Sequence, residues 1–183
     1  MSHIIPIIVF VLAAIAVLFA SHIFVYWSLV QFFKIVNPEL NTVLAIIIIF
    51  LAASFIIASL LAHWRENVFT RAFYFAAGIW LGLLTNLLIT MFAGWVLYGI
   101  CELAGLRPNL GVIGVLAIVA AVLISAWGIF NAYNTQIKEI SVRIKNLPSA
   151  WRGKTAVQIS DVHLGHVFGQ DFLKKIVKKK WHF

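Results

Sequence analysis

Charge and cysteine are both scarce in this chain of 183 residues. Only 11% of its residues are charged, against about a quarter in a typical soluble domain. Its single cysteine, Cys101, excludes an intrachain disulfide and a cysteine-based zinc site. The first apolar run has no basic residues ahead of it and is too long for the core of a signal peptide. We therefore expect no cleavable signal.

Apolar residues dominate what is present. They make up 63% of the chain, and the mean hydropathy is +1.01. A helix needs about 20 apolar residues to cross a bilayer, and four runs are long enough: residues 4–33, 43–62, 72–100 and 110–133. The connections between them are short, so consecutive helices should be antiparallel. The sequence thus predicts a mainly α membrane protein whose first domain, residues 1–135, is a four-helix transmembrane bundle.

The basic side chains are concentrated near the C-terminus. Residues 138–183 contain ten of the 14 Lys and Arg residues and three of the six acidic ones, so this tail carries +7 of the net charge of +8. By the positive-inside rule, both termini are predicted to be cytoplasmic. A basic tail beside a bilayer is also attracted to anionic lipid. We interpret these charges as a topology signal and expect the bilayer, not nucleic acid, as the partner.

A few polar or small residues interrupt the apolar runs. His22, Thr85 and Asn86 are interpreted as hydrogen-bonded packing residues, because no acidic residue accompanies them within the runs. The same absence of acids disfavours an ion or proton transporter. Gly78 and Gly82 form a small-xxx-small pattern, which predicts close helix packing inside the bundle.

Tryptophans also mark the runs. Trp80 is nearer the middle of the third run and is predicted to pack between helices. Four others lie toward run ends, where aromatic side chains anchor helices at the membrane interface: Trp27, Trp64, Trp95 and Trp127.

The pattern changes after the fourth run. Residues 140–145 alternate between apolar and polar, which is typical of a half-buried strand, and residues 155–160 resemble a second short strand. Residues 170–180 place apolar and lysine residues on opposite faces of a predicted helix. This order predicts that the second domain, residues 136–183, is a truncated α/β segment of two strands and a helix.

Asp161 and His163 follow the second predicted strand as Asp-Val-His. Ligand groups of α/β proteins gather beyond the carboxyl ends of strands. A carboxylate oxygen and an imidazole nitrogen at this spacing can converge on one cation where Gly165 lets the backbone bend. Oxygen and nitrogen ligands together suit zinc, manganese or iron. By itself the pair is a weak motif, since it often arises by chance.

The string around this pair resembles the start of calcineurin-like metallophosphoesterases. The order N-L-P-x-x-W-x-G-K, apolar strand, S-D-V-H-L-G-H and amphipathic helix is similar over residues 138–177, in particular to the membrane-anchored branch of bacterial inner membranes. The resemblance implies that Asp161 and His163 are ligands of the first of two divalent metals (Mn, Fe or Zn). It also implies that a metal-activated hydroxide attacks phosphorus. It assigns no role to His166.

The chain departs from that family's pattern beyond Val177. No Gly-Asp, Gly-Asn-His or Gly-His-x-His motif occurs, so the bridging carboxylate and the second-metal ligands are missing. Two ligands hold a catalytic metal poorly, and His182 is a poor third candidate. We therefore expect a membrane-anchored metallophosphoesterase that is truncated, binds metal weakly or not at all, and is inactive as this chain. The alternative is a non-catalytic small membrane subunit that packs with a membrane-protein partner or a second copy in a larger complex.

Overall fold

The computed structural model describes residues 4–134, 138–159, 165 and 170–178. Four long helices come first, followed by one turn of 3-10 helix and a short helix. In chain order they are α1 (Ile4–Phe33), α2 (Pro38–Trp64), α3 (Val68–Leu103), α4 (Leu110–Tyr133), the 3-10 turn (Ser149–Trp151) and α5 (Gln170–Lys178). The chain divides into two compact units, Met1–Ile129 and Phe130–Phe183.

Helices α1 to α4 are each long and apolar enough to cross a membrane, which confirms the predicted four-helix membrane part. At 1.5 Å per residue, even α4, with 24 residues, is about 36 Å long, against about 30 Å for the hydrocarbon core. Helix α3, with 36 residues, is about 54 Å long and must tilt or extend beyond the core. The structure is therefore compatible with an integral membrane protein.

An asparagine begins the helix that follows each of the three short connections. Asn37 accepts hydrogen bonds from the backbone N–H groups of Glu39 (2.8 Å) and Leu40 (3.1 Å). Asn67 caps α3 in a reciprocal capping box with Thr70. The Asn109 side chain accepts from the backbone N–H of Gly111 at 2.8 Å. These caps satisfy N–H groups that a helix leaves without intrahelical partners, and so they define where each span starts.

Phe32, near the end of α1, lies where α1, α3 and α4 approach one another closely. Its side chain is 1% exposed. A Cβ atom built on Gly114 of α4 would lie 2.7 Å from the Phe32 Cβ. A Cβ built on Gly94 of α3 would lie 2.9 Å from the Ile113 side chain and 3.6 Å from the Phe32 ring. Glycine at position 114 therefore makes room for Phe32, and glycine at position 94 makes room mainly for Ile113.

The helices join the bundle over only part of their lengths. Residues 4–17 of α1 are exposed throughout, and its buried residues begin at His22. The core includes Leu84, Leu87 and Met91 of α3. Small side chains occupy most of the buried positions of α2 and α4: Ala52, Ser54, Ala58, Ala62, Gly114, Ala117 and Ala121. Small residues let helix backbones come close, which is the usual basis of helix packing in lipid.

The predicted strand–strand–helix segment is wrong in its strands. Residues 138–144 and 154–159 have no regular secondary structure, and none of the described part of the chain forms a strand. Only the predicted helix is present, as α5. The alternation over residues 140–145 indicates a strand only if a neighbouring strand pairs with its backbone N–H and C=O groups. No such neighbour lies within the described ranges, so the two segments remain irregular.

The glycines around Phe32 yield a stability prediction. We expect Gly114→Ala to lower the free energy of unfolding by about 1–3 kcal/mol, because the new methyl group meets the Phe32 Cβ, which cannot rotate away. Gly94→Ala should also be destabilising, since its methyl group would lie 2.9 Å from Cγ2 of Ile113, a branched methyl whose rotation is restricted in a helix. Gly128→Ala is the matched control in α4, because nothing lies within 4 Å of its Cβ position.

Unfolding by dodecyl sulfate in mixed micelles, followed by circular dichroism, measures the three changes. Equal stabilities of Gly114→Ala and Gly128→Ala would contradict the close approach of α1 and α4 at Phe32.

Candidate functional site: paired polar side chains within the spans

The metal ligands that the sequence predicts, Asp161 and His163, lie outside the described residues, as do His166 and His182. Their metal-binding role stays a prediction. Among the residues that the structure does describe, no group of three or more potential ligands forms. The donor set of the motif itself, one carboxylate and one imidazole, falls short of the three or more protein ligands of a typical catalytic metal. The pair therefore does not complete a two-metal site.

His22 is the central polar residue within the spans. Its side chain is 1% exposed. Its Nδ1 lies 2.8 Å from the carbonyl oxygen of Leu18, and its Nε2 accepts a hydrogen bond from Trp80 Nε1 at 3.0 Å. The neutral tautomer with its proton on Nδ1 satisfies both contacts at once. His22 therefore links α1 to α3, which confirms its interpretation as a hydrogen-bonded packing residue and the placement of Trp80 between helices.

A second hydrogen bond joins the same two helices further along α1. Trp95 Nε1 donates to the hydroxyl of Ser28 at 3.0 Å, and Ser28 is fully buried. The Trp95 ring stacks on Phe32 and on Trp27, with centroids 4.7 Å and 4.6 Å away. Trp95 thus packs against α1 through Ser28, Phe32 and Trp27, and its role as an interfacial anchor stays a prediction. Ser28 is the sequence feature that indicates this contact, since a buried indole N–H requires a hydrogen-bond acceptor.

Two further hydrogen bonds connect the remaining helices. Asn86 Nδ2 donates to the hydroxyl of Ser125 at 2.8 Å, joining α3 to α4, and this confirms the packing role predicted for Asn86. Tyr26 donates to the side-chain oxygen of Asn41 at 2.7 Å, joining α1 to α2. Thr85, in contrast, bonds only to the Leu81 carbonyl of its own helix and faces outward.

These hydrogen bonds stabilise the bundle. Within the described part of the chain, no buried side-chain nitrogen or oxygen is left without a hydrogen-bond partner. Both nitrogens of His22 are engaged, one by its own backbone and the other by an indole. A relay needs further titratable groups in sequence, and among the described residues no three His, Cys, Asp or Glu side chains lie together. These side chains fix how the helices pack.

The Gly78–Gly82 pattern does not face the inside of the bundle. Both glycines are exposed, and nothing lies within 4 Å of either Cβ position. Their predicted packing inside the bundle is therefore wrong. Near the same part of α3, an open groove of about 330 Å³ is lined by Phe24, Leu88, Ile89 and Phe92. Its lining is entirely apolar, so it suits a hydrocarbon chain and not a polar substrate.

The His22–Trp80 pair makes a testable contribution to stability. We expect His22→Ala to lower the free energy of unfolding by about 1–3 kcal/mol, because it leaves the Trp80 N–H buried without an acceptor. Ser21→Ala is the control, since Ser21 bonds only to the Val17 carbonyl in the same helix. It should change stability by less than about 0.5 kcal/mol.

A double-mutant cycle with Trp80→Phe separates the hydrogen bond from general packing, using the same mixed-micelle unfolding. Additive effects of His22→Ala and Trp80→Phe would show that the pair is not coupled.

Comparison with known proteins identifies no relative of this chain. The chain matches no protein-family model, no curated protein and no solved structure.

Proposed function

We propose that this chain is the membrane-anchoring part of a metallophosphoesterase-type protein and that it is not catalytic by itself. The observation that carries the anchoring role is the internal pairing of polar side chains within the spans, exemplified by His22 and Trp80. Within the described residues, every buried side-chain nitrogen and oxygen has a hydrogen-bond partner, which supports a structural role for the bundle. The phosphoesterase part rests on the sequence around Asp161 and His163.

The membrane and the orientation belong to the same proposal. The chain lies in a bacterial inner membrane, as in the branch it resembles, with both termini in the cytoplasm. The charge distribution supports this orientation, because the basic tail outweighs the single cations Lys34 and Arg107 on the opposite side. The motif would then lie on the cytoplasmic side of the bilayer.

Metal analysis tests the non-catalytic part. We expect the purified chain, incubated with manganese, iron or zinc and then desalted, to retain substoichiometric metal and not to hydrolyse bis(p-nitrophenyl) phosphate. The reason is that the motif provides two ligands, fewer than a catalytic metal needs. Asp161→Ala and His163→Ala should therefore match the wild type in both measurements.

His63→Ala is the control for adventitious binding, because His63 is an exposed imidazole at the end of α2. Stoichiometric metal that is lost in Asp161→Ala and kept in His63→Ala would overturn the non-catalytic reading. The family assignment has its own test in the coding region downstream of codon 183. If no frame there encodes Gly-Asp, Gly-Asn-His and Gly-His-x-His motifs, the assignment to a phosphoesterase fails.

A second candidate function is that of a subunit that packs in a larger membrane complex. The exposed small residues of α3 favour it: Gly78, Gly82 and Thr85 lie on one face at spacings of four and three residues. Nothing in the described chain covers the two glycines. Small residues at this spacing allow a helix of a second copy or of another membrane protein to approach closely.

Substitution of this face tests the second candidate. We expect Gly82→Leu to abolish self-association or partner capture while leaving the bundle folded, because the new side chain points into open space. Gly128→Leu is the matched control, an equally open glycine on α4. Energy transfer between labelled chains in vesicles detects a second copy, and affinity capture from mild detergent detects another protein. A wild-type chain that is monomeric and partner-free in both measurements contradicts this candidate.

A further inference from the structure

The stretch that follows the last spanning helix exposes almost every side chain it has. In residues 138–159, here called the basic segment, only Leu147 is partly buried, and the other residues are exposed. Its local structure consists of a turn at Lys145 and Asn146, the 3-10 turn Ser149–Trp151 and a turn at Arg152 and Gly153. Nothing within the described chain covers this segment.

Large apolar side chains are among those exposed. Ile140, Val142 and Ile144 are 70%, 72% and 59% exposed, and Trp151 is 65% exposed. Transfer of apolar surface out of water is favourable by about 25 cal/mol for each Å². A run of such residues at alternate positions indicates a surface that is covered in use, because a free soluble segment would replace them with polar residues.

The charges of the basic segment restrict what covers it. Lys138, Arg143, Lys145, Arg152 and Lys154 are opposed by Glu139 alone, which gives five positive charges, one negative charge and a net charge of +4. The covering surface must therefore be apolar and anionic at once. A bilayer that contains anionic lipid presents both properties in layers, with phosphate groups above acyl chains.

The position of the segment supplies the remaining argument. It begins five residues after Tyr133, the last residue of α4, which is long and apolar enough to cross a membrane. The basic segment therefore starts close to the end of a spanning helix, where lipid headgroups are near. Trp151 lies next to the cations at positions 152 and 154. Tryptophan is enriched at membrane interfaces.

We propose that the basic segment binds the surface of an anionic bilayer, with its apolar residues at the acyl boundary and its lysines and arginines on lipid phosphates. Binding fixes the start of the tail against the membrane from which it emerges. This assignment is independent of the phosphoesterase proposal, since it requires neither Asp161 nor His163.

The test uses the full chain in nanodiscs, where both bilayer faces are accessible. A nitrobenzoxadiazole label is attached through Ala150→Cys in a Cys101→Ser background, at an exposed position within the 3-10 turn. Discs contain phosphatidylcholine alone or phosphatidylcholine mixed with phosphatidylglycerol, with or without brominated acyl chains. We expect blue-shifted emission and bromine quenching in the anionic discs. Both should be lost as salt rises from about 0.1 M to about 1 M, where the Debye length falls from about 10 Å to about 3 Å.

A charge variant provides the second measurement. Changing Arg143, Lys145, Arg152 and Lys154 to Gln should lower the ratio of bound to free label by more than about tenfold, because each cation near an anionic surface contributes about 1 kcal/mol. Lys34→Gln with Arg107→Gln, in loops outside the segment, is the matched control and should leave binding unchanged. Emission and quenching that are equal in neutral and anionic discs and insensitive to salt would overturn the proposal.

Discussion

The hydrogen bonds from Trp80 to His22 and from Trp95 to Ser28 join α1 to α3 inside the spans. Inside a bilayer no water is present to accept an indole N–H or to solvate an imidazole, and the backbone groups are already used within each helix. A polar side chain in a span must therefore find a partner on its own helix or on a neighbour. His22 does both, with the Leu18 carbonyl on one side and Trp80 on the other. Such a bond contributes only about 0.6 kcal/mol on average, so its larger effect is to disfavour every register that leaves one partner alone.

Close packing then depends on the absence of side chains. Lipid tails are as apolar as leucine, so helices in a bilayer gain little from burial and must gain from dispersion at short range. Phe32 reaches that range against α4 because Gly114 carries no Cβ atom, and Gly94 likewise leaves room for Ile113. The stacked Trp95 ring occupies the space beside Phe32, and its N–H returns to α1 through Ser28. The aromatic contacts and the polar contacts therefore act on the same two helices and favour one arrangement.

The sequence predicts where the spans are better than how they pack. Run length and composition identify four helices. Helices α2 and α3 begin at Pro38 and Val68, five and four residues before the predicted runs, after asparagine caps that the apolar pattern does not mark. Within a span nearly every face is apolar, so no amphipathic pattern indicates which face turns inward. For this reason the exposure of Gly78 and the contacts of Trp95 with α1 could not be predicted. The partner of His22 is 58 residues away in the chain, which no local pattern encodes. Of the candidate metal pair, the sequence predicts the donor types and their spacing only.

The alternation of apolar and polar residues over positions 140–145 also shows what a sequence pattern cannot specify. Period two indicates that two faces of an extended chain meet different surroundings, and it does not specify what those surroundings are. In a sheet, the neighbouring strand pairs with the backbone and a core covers the apolar face. At a bilayer surface, water in the headgroup layer can satisfy the backbone, and acyl chains cover Ile140, Val142 and Ile144. The second environment also requires cations on the opposite face, as at Arg143 and Lys145, whereas a strand in a sheet does not. Apolar residues that alternate with basic ones therefore indicate a segment at a membrane interface. Alternation by itself is weaker evidence for a strand.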